Sequence, residues 1–161
     1  MKYELVPCSW LSPIELIHFQ DAVKEAGETC NPLWEMESIG VAAWMKKVGS
    51  LSMTEHEHYL AFLVEDKLVG VCRITPQPNH QENGQVGIYI LPIYRGRMYA
   101  VPLLMQISEY CGRIGIEHPT ACCDISNHRA TAAFKRAGWK PTQKFYNWTM
   151  GRTAIELTTR S

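Results

Sequence analysis

Two prolines that flank the stretch YRGRMYA, Pro92 and Pro102, constrain the middle of the chain more than any other feature of its sequence. Pro92 follows the apolar run VGIYIL, and it closes regular strand pairing there because proline has no N–H to donate. Pro102 precedes a run of helical periodicity, and a helix tolerates proline only in its first turn. A strand therefore ends near Leu91, and a helix begins inside YRGRMYA.

The residues on either side of these prolines predict a β-α-β unit. Apolar residues recur at helical spacing from Ala100 to about Gly115. Strand-like runs cover Gln85 to Leu91 before this helix and Thr120 to Ile125 after it. A right-handed crossover makes the two strands parallel neighbours, so the helix starts at the carboxyl-terminal edge of the sheet.

The remaining elements follow from periodicity and from helix caps. Ser12, Pro13 and Glu15 have the spacing of a capping box with proline at the first helical position. The other elements expected before Gln85 are a strand at KYELVPC, helices over residues 13–26 and 35–48, strands over His58 to Val64 and Leu68 to Thr75, and a surface loop at PQPNHQENG. Those expected after Ile125 are a helix from His128 to Ala137, capped by Asn127, and a last strand from Lys144 to Met150. This order predicts a mixed α/β (α+β) fold with one sheet, in a single domain over residues 1–161.

Composition excludes several classes of protein. With 161 residues, 46% hydrophobic and 20% charged, the chain has the size and composition of one ordinary globular domain. Its 16 basic residues balance 16 acidic ones, so we expect neither nucleic acid nor a membrane surface as a partner. Glu4 interrupts the opening segment where a signal peptide needs an apolar core, and no run is long enough to span a membrane. We therefore expect a cytoplasmic protein.

The cysteines and histidines do not predict a metal site. The cysteines lack CxxC spacing and lie mostly in apolar runs, which is typical of buried thiols in a reducing compartment. His56-Glu57-His58 has no third ligand nearby in sequence, so we interpret it as a solvated segment. The six cysteines are Cys8, Cys30, Cys72, Cys111, Cys122 and Cys123.

The stretch YRGRMYA is a candidate anion site. Unpaired N–H groups and the positive end of the helix dipole favour a phosphate at a helix start, and Arg95 and Arg97 add positive charge. The alternative is an ordinary strand-to-helix turn that binds nothing. GxxxxGK[ST] and GxGxxG are both absent, so a nucleotide triphosphatase or a dinucleotide enzyme is not indicated.

The sequence GQVGIYILPIYRGRMYA followed by NHRATAAFKRAGW resembles the GNAT superfamily of N-acetyltransferases, and VGVCRI around Arg73 is similar to its predicted acetyltransferase branch. The family's R/Q-x-x-G-x-G/A motif falls on Arg95, Gly96, Arg97, Met98, Tyr99 and Ala100. Its second hallmark falls on Asn127, Ala130, Phe134, Gly138 and Trp139. The resemblance covers residues 58–150. It implies six or seven mostly antiparallel strands, with a central parallel pair splayed near Pro92 and helices on both faces.

The resemblance implies a transferase that uses acetyl-CoA and no metal. The pyrophosphate would lie on the N–H groups of residues 96–100, and the pantetheine arm would pair with the backbone of Ile88 to Leu91, where an N–H could hold the thioester oxygen. The acceptor would be a primary amine of a small molecule or a protein, attacking directly in a ternary complex. A homodimer is possible by the same resemblance. The implied cofactor-binding residues are Ile88, Ile90, Leu91, Arg95, Gly96, Arg97, Met98, Tyr99, Ala100, Asn127, Ala130 and Phe134.

Two departures from the family pattern carry consequences. Met98 replaces the first motif glycine, and we expect its side chain to point into the helix packing without a positive φ. Phe134 replaces a tyrosine that many members are thought to use to protonate the leaving thiolate, so Tyr146, Tyr94 or water would take that role. Loss of this acid also favours an alternative function, a non-catalytic acyl-CoA-binding or regulatory module of GNAT fold.

The residues of the acceptor side are the least defined. Candidates for the base that deprotonates the amine are Glu82, Tyr89 and Glu65, but Glu82 lies in a polar loop, Tyr89 can simply pack, and Glu65 fits a hairpin turn. By resemblance, several aromatic and acidic residues of the first half would line the acceptor pocket, although core packing of the tryptophans is the more ordinary interpretation. They are Trp10, Trp34, Trp44, Glu28, Glu35 and Glu37.

Overall fold

The computed structural model describes residues 1–50, 56–149 and 151–159. Its strands are β1 (Tyr3–Pro7), β2 (His58–Val64), β3 (Lys67–Gln77), β4 (His80–Ile90), β5 (His118–Asp124), β6 (Lys140–Asn147) and β7 (Arg152–Thr158). Its helices are α1 (Pro13–Glu25), α2 (Trp34–Ile39), α3 (Val41–Ser50), α4 (Ala100–Arg113) and α5 (His128–Arg136). Single 3₁₀ turns cover Cys8–Trp10, Asn31–Leu33 and Pro92–Tyr94.

The described strands form one seven-stranded sheet in the order β1-β2-β3-β4-β5-β7-β6. Pairing is antiparallel between β1 and β2, β2 and β3, β5 and β7, and β6 and β7. The pairing of β4 with β5 is parallel and joins Asn83–Gln85 to His118–Thr120. The predicted fold class is therefore confirmed, with β4, α4 and β5 as the β-α-β unit.

The chain divides into two compact units. Unit 1 contains Met1–Thr75 and Gly87–Arg97, and unit 2 contains Pro76–Val86 and Met98–Ser161.

The core of unit 1 includes side chains of α1, α2, α3, β2, β3 and β4. Helix α1 begins as the capping box predicts, because the Ser12 hydroxyl accepts from the Glu15 N–H and the Glu15 carboxylate accepts from the Ser12 N–H. The helix then turns its apolar face inward. The buried side chains of this core include Leu16, Phe19, Val23, Trp44, Tyr59, Ala61 and Val71.

The predicted helix over residues 35–48 is wrong as a single element. Helix α2 ends at Ile39 and α3 begins at Val41, with Gly40 between them at a φ of 92°. That left-handed conformation suits glycine, which has no Cβ. The apolar periodicity continues across the break, so only Gly40 signals it.

The predicted surface loop at PQPNHQENG is also wrong. Strand β3 continues to Gln77 and β4 begins at His80, so Pro78 and Asn79 make a tight turn between neighbouring strands. Asn79 has a φ of 66°, which asparagine tolerates. This end of the hairpin is exposed on both faces. Its residues are therefore mostly polar and lack the alternation of apolar and polar side chains that predicts a strand.

Unit 2 contains a strand that the sequence did not predict. We expected one last strand from Lys144 to Met150, but β6 covers Lys140–Asn147 and a further strand, β7, covers Arg152–Thr158; Met150 itself lies outside the described residues. Strand β7 buries adjacent residues rather than alternate ones, which hides its strand period. The predicted α4 and α5 are confirmed, and α4 buries Leu103, Leu104, Ile107 and Cys111.

Burial corrects three further expectations. His58 is buried at the start of β2, so His56-Glu57-His58 is not wholly a solvated segment. Trp44 is buried as expected, whereas Trp10 and Trp34 are 75% and 52% exposed. Four cysteines are buried, but Cys122 is exposed and Cys123 is half-buried.

Two kinds of feature are absent from the described residues. No described helix has both the length and the hydropathy needed to cross a membrane. In the same part of the chain, no three His, Cys, Asp or Glu side chains gather as metal ligands would.

Candidate cofactor and active site

Strand β4 ends in unit 1 with its backbone held closely against β3. The Leu91 N–H donates to the Val69 carbonyl at 3.0 Å, and the 3₁₀ turn at Pro92–Tyr94 follows. A Cβ built on Gly70 would lie 2.5 Å from the Tyr89 carbonyl oxygen. Glycine is therefore required at position 70 for this approach. The Leu91 N–H, which we expected to be open to a ligand, is already paired.

Residues 95–100, here called the cofactor loop, lead into α4. Gly96 and Met98 both have left-handed backbone conformations, with φ of 80° and 62°. The Met98 side chain is 65% exposed. Our expectation for Met98 was therefore wrong on both points: its φ is positive and its side chain points to solvent. The methionine adopts the backbone conformation that the family's glycine would adopt without strain.

The start of α4 carries no side-chain cap. Tyr99 precedes the first helical residue and makes no capping hydrogen bond with its side chain. The first N–H groups of any α-helix have no partner within the helix, and Pro102, at the third helical position, has none to satisfy. Ser12 and Asn127 cap α1 and α5, so α4 differs from both. The helix start thus offers N–H groups to an anion.

The guanidinium of Arg95 is held within unit 1. Its two terminal nitrogens donate to the two carboxylate oxygens of Glu28 at 2.9 and 2.7 Å. Its Nε donates to the Ile90 carbonyl at 2.9 Å. The Tyr89 hydroxyl also donates to Glu28, at 2.7 Å, and the guanidinium lies over the Tyr89 ring at 5.3 Å. Sequence reasoning named all three side chains but did not join them, because Glu28 lies far from the other two along the chain.

The pKa values of this cluster follow from its contacts. Hydrogen bonds from Arg95 and then Tyr89 lower the pKa of Glu28 to about 2, so the carboxylate is ionised at neutral pH. Burial, followed by the hydrogen bond to Glu28, raises the pKa of the Tyr89 phenol above its usual value. Tyr89 is thereby held protonated, which does not favour it as a base at neutral pH.

Arg97 differs from Arg95 in its surroundings. Its guanidinium lies over the Tyr94 ring at 5.8 Å and is exposed. In the described ranges, no carboxylate lies within ion-pair distance of Arg97. Arg97 is therefore the cation of the cofactor loop whose charge is not compensated by a neighbouring acid.

In unit 2, the second family hallmark lies on α5. Asn127 caps this helix, with its side-chain oxygen accepting from the Ala130 N–H at 3.1 Å. Phe134 is 3% exposed and meets Trp139 edge to face at 5.1 Å between ring centroids. A hydroxyl added to Phe134 would therefore enter a buried environment.

The other catalytic candidates make contacts of their own. Glu82 is half exposed in β4, with its carboxylate 3.8 Å from His80 Nδ1. Tyr146 is partly exposed and packs edge to face on Trp148. Glu65 lies in the β2–β3 turn, with a φ of 49°, and accepts from the Lys2 N–H at 2.9 Å, as its assignment to a hairpin turn predicted.

The acidic and aromatic residues of the first half have different partners. Glu35 pairs with Lys47, and Trp44 packs on Tyr59. Glu37 borders a small cavity between α1 and α2 that is otherwise mostly apolar. The cavity is lined by Phe19, Gln20, Val23, Cys30, Leu33, Met36 and Glu37.

Comparisons with known proteins give one family match and several structures of the same fold. The model of the Acetyltransferase (GNAT) family matches residues 19–139. A search of curated proteins gives no match. Among solved structures, a spermidine N-acetyltransferase SpeG chimera from Vibrio cholerae and hSSAT is 13% identical, covers 98% of this chain and 94% of its own, and has a TM-score of 0.72.

Two further structures have the same fold. A GNAT-family acetyltransferase from Streptococcus pneumoniae is 15% identical, with 98% of each chain covered and a TM-score of 0.69. The N-acetyltransferase PseH from Campylobacter jejuni, solved in complex with acetyl coenzyme A, is 13% identical, with 98% and 97% covered and a TM-score of 0.68.

Proposed function

The chain belongs to the acetyltransferase (GNAT) family, and from this premise we propose that it transfers the acetyl group of acetyl-CoA to a primary amine of a small molecule or a protein. The observation that carries the proposal is the family match over residues 19–139, which includes the cofactor loop and α4. A structural relative of the same fold was solved with acetyl coenzyme A, which supports the choice of donor.

The residues of the cofactor loop fit the pyrophosphate of acetyl-CoA. The uncapped start of α4 supplies N–H groups and the positive end of the helix dipole. Arg97 supplies an uncompensated positive charge. The left-handed φ at Gly96 and Met98 turns the loop sharply before the helix. In this proposal the cosubstrate brings the thioester, and the chain brings its binding and orientation.

The reaction proceeds by direct attack in a ternary complex. The neutral amine attacks the thioester carbonyl carbon, a C–N bond forms, the C–S bond breaks, and coenzyme A leaves as a thiolate. A backbone N–H of β4 between Ile88 and Ile90 stabilises the developing oxyanion. The ammonium proton passes to Glu82 or water, and the thiolate takes a proton from Tyr146, Tyr94 or water.

Two measurements test this function. Saturating acetyl-CoA should raise the melting temperature, since a ligand that binds only the folded state stabilises it. A panel of amines with acetyl-CoA should then release free thiol with at least one acceptor. Absence of a thermal shift would refute acetyl-CoA binding, and a shift without thiol release from a broad panel would contradict catalysis.

One observation favours a second candidate, a non-catalytic acyl-CoA-binding or regulatory module. Phe134 lies where many family members have a tyrosine thought to protonate the leaving thiolate. Its buried ring has no proton to donate. This candidate predicts the thermal shift without turnover. Thiol release by the wild type distinguishes the two candidates, and faster release by Phe134→Tyr would show that position 134 limits the rate.

A further inference from the structure

We propose that Glu28 is a positioning residue for the cofactor loop, acting through Arg95, so that Arg95 fixes the start of the loop while Arg97 supplies the charge that meets the cofactor phosphates. The inference rests on the proposed function, because it assigns roles within the acetyl-CoA site. It separates two arginines that the family motif places together.

The backbone of Glu28 is held by the end of α1. The Gly27 N–H donates to the Lys24 carbonyl at 2.9 Å, and the Glu28 N–H donates to the Val23 carbonyl at 3.2 Å. With Gly27 at a φ of 68°, these bonds make a Schellman motif. Glu28 is thus a fixed point on unit 1, and a side chain bound to it is anchored to that helix.

The side chain of Glu28 is committed to Arg95 and Tyr89. Both carboxylate oxygens accept from the guanidinium in a bidentate pair, and one also accepts from the tyrosine hydroxyl. Bidentate pairs of this kind fix geometry as well as adding energy. Since Arg95 Nε also holds the Ile90 carbonyl, one guanidinium ties the end of α1 to the end of β4.

Charge compensation follows from the same contacts. Three of the five N–H groups of Arg95 are used within the chain, and its positive charge lies against an ionised carboxylate. A phosphate approaching Arg95 meets a nearly neutral pair. Arg97 has no such partner in the described chain, so the long-range attraction for phosphate falls on Arg97.

A charge swap tests the assignment by calorimetric titration of the full chain with acetyl-CoA. Glu28→Gln and Arg95→Glu should each weaken binding, Glu28→Gln by about five- to tenfold for a lost, partly exposed bidentate pair. The double variant E28R/R95E, which restores the pair with reversed polarity, should recover affinity to within about threefold of wild type. Adding Glu28→Arg to Arg97→Glu should not restore any affinity for acetyl-CoA.

Kinetics and a matched control complete the test. Glu28→Gln should raise the KM for acetyl-CoA and leave kcat within about twofold, because it disturbs the loop and touches no reacting atom. Glu25→Gln, an exposed change in the last turn of α1, should alter neither constant. If wild type binds no acetyl-CoA, the proposed function fails together with the inference.

If wild type binds acetyl-CoA but the variants do not follow this pattern, the inference fails and the proposed function stands. An unchanged affinity for acetyl-CoA in Glu28→Gln would overturn the inference. An affinity of E28R/R95E as weak as that of Arg95→Glu would also overturn it, because Arg95 would then contact the phosphates itself. If the swap variant does not fold, as judged by its melting curve, Glu28→Gln measured against Glu25→Gln decides.

Discussion

Met98 adopts a backbone conformation that its side chain disfavours. The left-handed region costs a non-glycine residue roughly 1 kcal/mol or more, whereas glycine enters it freely. Nothing offsets this cost by packing, since the side chain is mostly exposed. The sequence showed that Met98 departs from the motif. It did not show the backbone conformation there, because the φ of one residue does not affect the periodicity from which helices and strands are predicted.

We expect Met98→Gly to stabilise the protein by about 0.5 kcal/mol. Relief of backbone strain outweighs the extra entropy that glycine gives the unfolded chain. Urea unfolding measures the change. Met105→Gly is the matched control, an exposed methionine inside α4, and it should lose roughly 1 kcal/mol. Equal destabilisation by the two changes would contradict the strain at position 98.

The acidic pKa of Glu28 predicts a pH-dependent contribution to stability. Its pKa is near 4.5 in the unfolded chain and about 2 in the folded one. Stabilisation is therefore complete above about pH 5 and is lost as the pH falls through about 2, below which both states are protonated. The difference in unfolding free energy between wild type and Glu28→Gln should shrink over that window. A difference that stays constant from pH 7 to pH 2 would exclude the ion pair as its source.

At the scale of elements, Gly70 lets β3 approach the backbone of β4 closely. Gly70 lies at an irregularity in the β2–β3 register, which shifts between Phe62 and Leu63. A side chain there would meet the backbone of Tyr89, which cannot rotate away. The strand that carries Tyr89 and Ile90 is thus positioned by the absence of a single methyl group.

Gly70→Ala should cost about 1–3 kcal/mol, as overpacking does, and should weaken acetyl-CoA binding by shifting β4. Chemical denaturation and titration measure the two effects. Gly112→Ala is the control, because a Cβ there meets nothing within 4 Å and the residue lies in α4, where alanine should stabilise by roughly 0.5–1 kcal/mol. Tolerance of Gly70→Ala would show that β3 and β4 can separate at low cost.

The elements that the sequence predicted are those with local signals. The capping box at Ser12, the cap at Asn127 and the proline in the first turn of α4 each fix a helix start from neighbouring residues. The break at Gly40 was missed because the apolar periodicity continues across it, and β7 was missed because it buries adjacent residues rather than alternate ones. In the site, the motif located the cofactor loop, but the carboxylate that binds Arg95 comes from the end of α1.

For the molecule as a whole, β7 is the strand on which unit 2 depends. It pairs with β5 from Thr120↔Thr158 to Asp124↔Ala154, and with β6 along nearly its full length. The Thr158 hydroxyl also donates to the Pro119 carbonyl at 2.8 Å. If β7 were removed, β5 and β6 would each lose the backbone hydrogen bonds of one strand pairing.

Deletion of residues 152–161 should therefore abolish cooperative unfolding of the protein. Exposed backbone groups on β5 and β6 would have no partners, and the buried side chains of β7 would leave a gap in the core. Circular dichroism with thermal melting measures the loss. A sharp transition in this variant would show that β7 is dispensable.

The position of β7 between β5 and β6 also sets an order of events during synthesis. Strands β5 and β6 leave the ribosome before β7. They cannot pair with each other in the native sheet, because β7 lies between them. Until Arg152–Thr158 emerges, each presents an open edge, the kind of surface that recruits chaperones or other nascent chains. Both strands thus stay open to misassembly until β7 has been translated.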